Sequence, residues 1–230
     1  MKNLIGRITS ILHGSTLDGP GIRSVVFLSG CNMRCPFCHN PETFFNEMSK
    51  QISSNELVLE LLKYENYIKS GGVTLSGGEP FLQSDFCSDV IDGLHSNNIH
   101  VAIQTNGTII DENLISKADL LIVDIKNYTK EIPKEIYDFL KICNHYKKNV
   151  YLTNVLIEGV NDDTDSIKLL RKIYDEFNIK TFKFLPFKKL CEDKYNNLNM
   201  VFPYKNIEET SDVCFKKAIE TFNFLEKGEN

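Results

Sequence analysis

Short apolar runs alternate with longer amphipathic segments along most of the chain. Each run is rich in Val, Ile, Leu or Phe and is bounded by turn residues, which is typical of buried strands. The amphipathic segments carry helix start signals, such as the capping box formed by Ser53 and Glu56. The predicted strands cover residues 22–28, 73–76, 100–105, 120–126, 150–157 and 181–186.

Six strand–helix units in succession predict an α/β fold, with a parallel sheet covered by helices. The last helix is expected at about residues 207–225. An open doubly wound sheet and an incomplete (β/α) barrel both satisfy this pattern. A complete eight-unit barrel needs about 250 residues, so a six-unit arc fits the 230 residues better. We expect one domain over residues 1–230, with its functional groups at the carboxyl ends of the strands.

The composition excludes several classes of protein. There are 31 acidic and 26 basic residues without a long run of one sign, which disfavours nucleic acid as the main ligand. No stretch approaches the roughly 18–20 apolar residues of a membrane span, and the first ten residues lack the apolar centre of a signal peptide. We therefore expect a cytoplasmic protein with no membrane partner. The seven cysteines are an odd number, which favours a metal or redox use over a disulfide framework.

Three of the cysteines form a compact motif directly after the first predicted strand. Cys31, Cys35 and Cys38 have C-x3-C-x2-C spacing and are followed by His39, in a loop at residues 30–41. Three thiolates so close together can bind a metal or an iron–sulfur cluster. A structural zinc site would need His39 as a strained fourth ligand, whereas a cubane cluster would leave one iron open. The other cysteines are scattered: Cys87, Cys143 and Cys214 are expected in the core and Cys191 in a loop.

A glycine-rich turn at residues 76–80 ends the next predicted strand. Gly77 and Gly78 would allow close backbone approach to a ligand, and Glu79 offers an acceptor for an ammonium group. Taken alone, this turn is typical of an ordinary strand–helix connection. Together with the cysteine motif, it resembles the signature of the radical S-adenosylmethionine (SAM) superfamily.

The resemblance extends to the activating enzymes of glycyl radical enzymes and covers nearly the whole chain. The similar blocks are residues 6–8, 16–23, 30–41, 76–80, 105–107, 124–126, 159–163 and 185–186. The resemblance implies a partial (β/α)6 TIM-like barrel of the radical SAM type. It also implies that Cys31, Cys35 and Cys38 hold a [4Fe-4S] cluster whose fourth iron is chelated by SAM.

The same resemblance implies a reaction and partners. Reductive cleavage of SAM would give a 5′-deoxyadenosyl radical, which would remove a hydrogen atom from a glycine of a partner glycyl radical enzyme. Pyruvate formate-lyase is the default partner, and another glycyl radical enzyme is its competitor. A flavodoxin- or ferredoxin-type protein is the expected electron donor.

Individual residues receive roles from the resemblance. Asp124 and Lys126 are two residues apart on a predicted strand, so both face the same side; a structural salt bridge is the alternative for this pair. Partner contacts or shaping of the site are expected from Asp18, Gly19, Pro20 and Arg23. SAM contacts are expected from Phe37, Cys38, His39, Gly78, Glu79, Asn106, Asp124, Lys126 and Lys188.

Three positions depart from the family pattern. Gln104 replaces an aspartate proposed to hold a monovalent cation, Thr153 replaces an arginine, and Lys188 replaces a histidine. The chain also has no room for a cysteine-rich insert, so a single cluster is expected. Two other functions stay open: a radical SAM enzyme acting on a small molecule or ribosomal peptide, and a non-enzymatic zinc-binding module.

Overall fold

A computed structural model describes residues 2–225. Within them, six parallel strands coincide with the six predicted strands to within two residues at each end. The prediction succeeded because most of these strands, such as those at residues 72–77 and 120–124, are buried on both faces and therefore read as apolar runs. The strand at residues 181–186 is mostly exposed or partly exposed, but it also carries an apolar run. The parallel strands are β2 (Arg23–Leu28), β4 (Gly72–Gly77), β5 (Val101–Thr105), β6 (Leu120–Asp124), β7 (Asn149–Leu156) and β8 (Thr181–Pro186).

Two antiparallel strands extend the sheet beyond the prediction. β1 (Ile5–Ser15) pairs with β2 and with β3 (Lys50–Ser53), which gives the order β3-β1-β2-β4-β5-β6-β7-β8 in the described chain. β1 is partly exposed along most of its length, and its register with β2 shifts twice. It therefore lacks the continuous apolar run that marks the parallel strands. The sheet does not close between β8 and β3, so the barrel is partial.

Most helices connect the strands and pack on the outer face of the sheet, whereas the helix at residues 192–197 packs near the cysteine loop. Ser53 caps the first helix with the predicted capping box to Glu56. The last described helix begins later than predicted because Ser211 provides its N-cap. No helix among the described residues is long and apolar enough to cross a membrane. The helices are α1 (Ser54–Leu62), α2 (Glu65–Ile68), α3 (Ser84–His95), α4 (Glu112–Lys117), α5 (Lys134–His145), α6 (Thr164–Glu176), α7 (Glu192–Asn197) and α8 (Asp212–Phe224).

The main hydrophobic core joins the parallel strands to the helices. Cys87, Cys143 and Cys214 are buried in it, which confirms that they are core thiols. Burial raises the pKa of each of these thiols. They therefore remain protonated and behave as small apolar side chains.

A second, smaller core lies beyond the carboxyl ends of β7 and β8, and we call it the cap cluster. It joins the cysteine loop to residues 187–210, so this late part of the chain folds back over the loop. Cys191, predicted as an ordinary loop thiol, is 1% exposed in this cluster because large apolar side chains surround it. The buried members are Phe37, Ile157, Phe187, Cys191, Tyr195 and Phe202.

Candidate active site

The three motif cysteines line a cavity at the carboxyl ends of the parallel strands. Cys31, Cys35 and Cys38 are free, partly exposed thiols on the loop that follows β2. The cavity has a volume of about 270 Å³. Its wall also contains six of the predicted SAM contacts other than Cys38: Phe37, His39, Gly78, Asn106, Asp124 and Lys126.

The arrangement of the thiols fits a cluster better than one metal ion. Among residues 2–225, no three His, Cys, Asp or Glu side chains form a group that could hold a metal ion. A cubane cluster needs no such convergence, because each thiolate binds a different iron. His39 is also engaged elsewhere, since its Nε2 donates to the Lys188 carbonyl at 2.9 Å. The donor set of three separate thiols on one cavity wall therefore fits a [4Fe-4S] cluster with one open iron.

Burial controls the protonation of these thiols. It raises the pKa of Cys31 and Cys35, and it raises the pKa of Cys38 to about 12. The positive charge of Lys126 acts in the opposite direction on all three. Before loading, the thiols are neutral at pH 7, and binding of iron must release their protons.

Gly77 and Gly78 bring the end of β4 against the cysteine loop. Gly77 has φ of +109°, and a Cβ atom on Gly78 would collide with the Gly30 carbonyl oxygen. The Gly78 amide donates to the Leu28 carbonyl at 2.9 Å, and the Glu79 amide donates to the Gly30 carbonyl at 2.7 Å. The close approach that these glycines allow is thus to the backbone of the cysteine loop itself.

Glu79 does not face the cavity, which contradicts its predicted contact with an ammonium group. Its side chain is fully buried. Oε1 accepts hydrogen bonds from the Phe81 amide at 3.1 Å and the Thr105 hydroxyl at 2.7 Å, and Oε2 accepts from the Asn106 amide at 2.8 Å. Burial raises the pKa of Glu79, and these donors oppose the shift. Glu79 therefore joins the end of β4 to the turn after β5.

Asn106 connects that turn to the cysteine loop. Its Nδ2 donates to Asn32 Oδ1 at 2.9 Å, and Asn32 Nδ2 donates to the Thr108 hydroxyl at 2.8 Å. Asn32 was missed by the sequence reasoning, although its position between two motif cysteines was an available signal. Through these amides, the turn after β5 fixes the first half of the cysteine loop.

Asp124 and Lys126 form an ion pair on the cavity wall. Lys126 Nζ lies 2.7 Å from Asp124 Oδ2 and 5.3 Å from the centre of the Phe37 ring. Burial lowers the pKa of Lys126, but the negative charge of Asp124 outweighs burial and raises it. The ammonium therefore stays charged beside the cysteines. Both side chains face the cavity, as predicted, and they also form the salt bridge that was the alternative interpretation.

Lys188 does not reach the cavity. Its Nζ pairs with Glu209 Oε2 at 3.1 Å, with both side chains about two-fifths exposed at 42% and 41%. Only its carbonyl, which accepts from His39, touches the site. Residues 187–210 turn this side chain toward solvent, and its contact with SAM stays a prediction.

The predicted partner residues separate into two groups. Asp18, in the connection from β1 to β2, lines the cavity and accepts from the Ser15 hydroxyl at 2.5 Å. Arg23 is fully buried at the amino end of β2, which contradicts a direct partner contact. Gly19 and Pro20 lie beside its guanidinium and do not line the cavity.

The Arg23 guanidinium binds backbone instead. It donates to the carbonyls of Gly71 and Val73 and to the Thr74 hydroxyl, the last two at 2.6 Å. Burial lowers the pKa of Arg23 to about 10, and the charges of Asp119 and Asp18 oppose the shift. Arg23 therefore fixes the base of the barrel and does not line the cavity, so its predicted role in shaping the site stays a prediction.

Three tyrosines around the cysteine loop were also missed. Tyr128 lies edge-on to Phe37 with ring centres 5.5 Å apart, and Tyr204 lies 6.1 Å from the same ring. Tyr195 is 1% exposed, and burial raises the pKa of its hydroxyl. Tyr128 comes two residues after Lys126, which was the one sequence signal for it; the other two come from distant parts of the chain.

Comparison with known proteins identifies the family. Residues 17–130 match the family described as a 4Fe-4S single cluster domain. A pyruvate formate-lyase-activating enzyme of Staphylococcus epidermidis is 34% identical, over 96% of this chain and 96% of that protein. The chain belongs to the pyruvate formate-lyase-activating enzyme family. It is a radical SAM enzyme, and its cofactors are a [4Fe-4S] cluster and SAM.

Solved structures confirm the fold expected for a pyruvate formate-lyase-activating family member. A domain of the pyruvate-formate lyase-activating enzyme from Bacteroides vulgatus is 22% identical with a TM-score of 0.51, covering 68% of this chain and 95% of that chain. Streptococcus suis SuiB, bound to its precursor peptide SuiA, is 15% identical with a TM-score of 0.67, covering 89% of this chain and 46% of that chain. Both likenesses concern the partial barrel alone.

Proposed function

We propose that this protein activates a glycyl radical enzyme by removing a hydrogen atom from one of its glycines, with pyruvate formate-lyase as the target. The observation that carries the proposal is the single cavity that gathers Cys31, Cys35, Cys38 and the Asp124–Lys126 pair. Bound there, the cluster and SAM would supply the 5′-deoxyadenosyl radical that abstracts the hydrogen atom. The names of the relatives support pyruvate formate-lyase as the target.

The chain's own residues divide the work of holding these groups. The three cysteines would bind three irons of the cluster. Lys126 places a fixed positive charge beside the thiolates, which offsets the negative charge of a bound cluster. Phe37 is 5% exposed and packs into the cap cluster, so it shields this side from water. No general base is needed, because the step moves a hydrogen atom.

A protein substrate is favoured over a small molecule. The chain matches an activating enzyme over 96% of its own length and 96% of that protein's length. It is therefore similar over its whole length to a protein whose name describes activation of another enzyme. The described barrel is also open between β8 and the strands beside β2. An open barrel can admit a loop of a partner, whereas a small substrate needs no such gap.

Anaerobic reconstitution followed by partner activation tests the proposal. The protein should bind about four irons per chain, and incubation with SAM, a reductant and pyruvate formate-lyase should give a glycyl radical signal by electron paramagnetic resonance. Cys35→Ala should abolish SAM cleavage with the fold intact. Cys143→Ala, which changes a buried thiol outside the cavity, is the matched control and should retain cleavage.

Three results would contradict parts of the proposal. Cleavage of SAM without a radical on any glycyl radical enzyme would favour a small-molecule or peptide substrate. Cleavage retained by Cys35→Ala would mean that the cluster ligands are assigned incorrectly. A colourless protein with one tightly bound zinc would reject the radical SAM function and favour the zinc-binding module.

A further inference from the structure

The proposed reaction consumes one electron, and that electron must pass from the protein surface to the cysteine loop. A donor protein loses the electron and the cluster gains it, so no bond is made or broken in this step. Electron transfer between two proteins slows steeply as the separation of their redox centres grows. The donor therefore has to dock where the surface comes close to the thiols, on a side that leaves the cavity free for SAM and for the partner glycine.

The outer side of the cysteine loop meets this condition at Arg34. This residue directly precedes Cys35, is exposed, and does not line the cavity. Its Nη1 donates to the Cys31 carbonyl at 2.7 Å and to the Met33 carbonyl at 2.8 Å. The guanidinium therefore holds a surface charge one hydrogen bond away from the backbone of a predicted cluster ligand.

The charge of Arg34 is separated from the cavity only by an aromatic ring. Phe44 lines the cavity, and the guanidinium carbon of Arg34 lies 4.5 Å from the centre of the Phe44 ring, in a cation–π contact. Among residues 2–225, only Nη1 of this guanidinium donates hydrogen bonds, and no carboxylate pairs with it. Its Nε and Nη2 can therefore bind both oxygens of a carboxylate on a docked protein.

Exposed apolar side chains continue from this ring to the surface. Phe45 and Met48 are 38% and 52% exposed. The Phe45 ring lies 6.4 Å from the Phe44 ring, and the Met48 amide donates to the Phe45 carbonyl at 3.2 Å. Arginine, methionine and aromatic residues are enriched at protein–protein interfaces. We call Arg34, Phe45 and Met48 the outer patch.

A second exposed apolar area fits an acidic donor less well. It contains Leu190 and Val201, on the segment at residues 187–210. The nearby Lys188 and Lys194 are already paired with glutamates, so their charges are compensated within the protein. This segment also covers the cysteine loop, which increases the distance from its surface to the thiols.

We propose that the outer patch is the docking site of the electron donor, a small acidic one-electron carrier of the flavodoxin type. The inference rests on the proposed function, because the electron is needed for cleavage of SAM. Arg34 pairs with a carboxylate of the donor, while Phe45 and Met48 provide apolar contact. The cavity side of the loop stays open to SAM and to the partner enzyme.

Calorimetry measures this docking directly. A purified flavodoxin would be titrated anaerobically into the reconstituted protein, without SAM or partner enzyme. Arg34→Gln and Met48→Asp should each weaken binding roughly three- to tenfold at low salt. The loss in Arg34→Gln should shrink at high salt, because salt screens exposed charges. Lys216→Gln, which removes an exposed positive charge on α8 outside the outer patch, is the matched control and should bind as the wild type does.

A comparison of two reductants separates docking from a structural role of Arg34. Dithionite is a small ion and needs no docking site. The rate of SAM cleavage with flavodoxin, divided by the rate with dithionite, should therefore fall in Arg34→Gln by the same factor as the affinity. Arg34→Lys keeps the positive charge and should restore most of this ratio. Iron content after reconstitution is measured for each variant.

The outcomes distinguish this inference from the proposed function. Equal losses of both rates in Arg34→Gln, together with a lower iron content, would overturn the inference and make Arg34 a residue that only holds the cysteine loop. Unchanged flavodoxin affinity in Arg34→Gln and Met48→Asp, or no binding of flavodoxin by the wild type, would overturn it as well. Failure of the wild type to cleave SAM with dithionite would instead reject the proposed function.

Discussion

Replacing Glu79 with glutamine tests whether this residue holds the turn or binds SAM. Its carboxylate accepts three hydrogen bonds, from Phe81, Thr105 and Asn106. A glutamine must turn its NH2 group toward at least one of these donors, which leaves that donor and the new NH2 unpaired. Each buried unpaired group costs about 1–3 kcal/mol. Relief of the desolvation that raises the pKa of Glu79 offsets part of this cost, so we expect a net loss of about 1–3 kcal/mol.

Thermal unfolding of the cluster-free protein, followed by circular dichroism, measures this loss. For a domain of this size, 1 kcal/mol corresponds to roughly 2–4 °C, so the midpoint should fall by about 2–12 °C. Glu60→Gln is the control, because Glu60 is a surface carboxylate paired with Lys63, and it should leave the midpoint unchanged. An unchanged midpoint in Glu79→Gln together with weakened SAM binding would refute the positioning role and restore the direct contact.

Three further variants probe other parts of the molecule. Gly78→Ala should displace the cysteine loop through its collision with Gly30 and lower the iron content after reconstitution. Gly14→Ala is the control: it strains a backbone with φ of +83°, but its Cβ meets nothing within 4 Å and it lies outside the cavity, so the iron content should be unchanged. Arg23→Met should lose three or more buried hydrogen bonds and about 3 kcal/mol in urea unfolding; a stable variant that fails only to activate the partner would contradict this. Asp163, whose pKa is lowered to about 2 by Lys130 and by the amide it caps, stabilises the fold above about pH 4; the deficit of Asp163→Ala should shrink as the pH falls toward 2, and a deficit independent of pH would contradict the charge.

Burial on both faces made most of the fold predictable from the sequence. The strand at Leu120–Asp124 is buried at every position, so its pattern needed no partner to be recognised. β1 could not be found in this way, because most of its positions are partly or fully exposed and it contains two glycines and two register shifts. Its place in the sheet depends on pairing with β2, and the local pattern of apolar residues carries no information about that pairing.

The cavity wall was predicted well where residues are close in sequence. Cys31, Cys35 and Cys38 share one loop, so their spacing alone implied a common site. Charged residues were predicted less well, because a sequence does not show where a long side chain ends. Arg23 and Glu79 are charged residues of the kind that often contact ligands. Both are nevertheless fully buried, and backbone and hydroxyl groups satisfy their hydrogen bonds.

The contacts between the cysteine loop and the late part of the chain bear on how the protein is made. His39 bonds to the Lys188 carbonyl, and Lys194 reaches Asn40 at 2.9 Å and Glu42 at 2.7 Å, across about 150 positions of sequence. At about 5–20 residues per second, a ribosome needs roughly 8–30 s to cover that interval. During this interval the segment that covers the three thiols has not yet been synthesised. In a nascent chain, the cysteine loop therefore stays uncovered until residues 187–210 arrive.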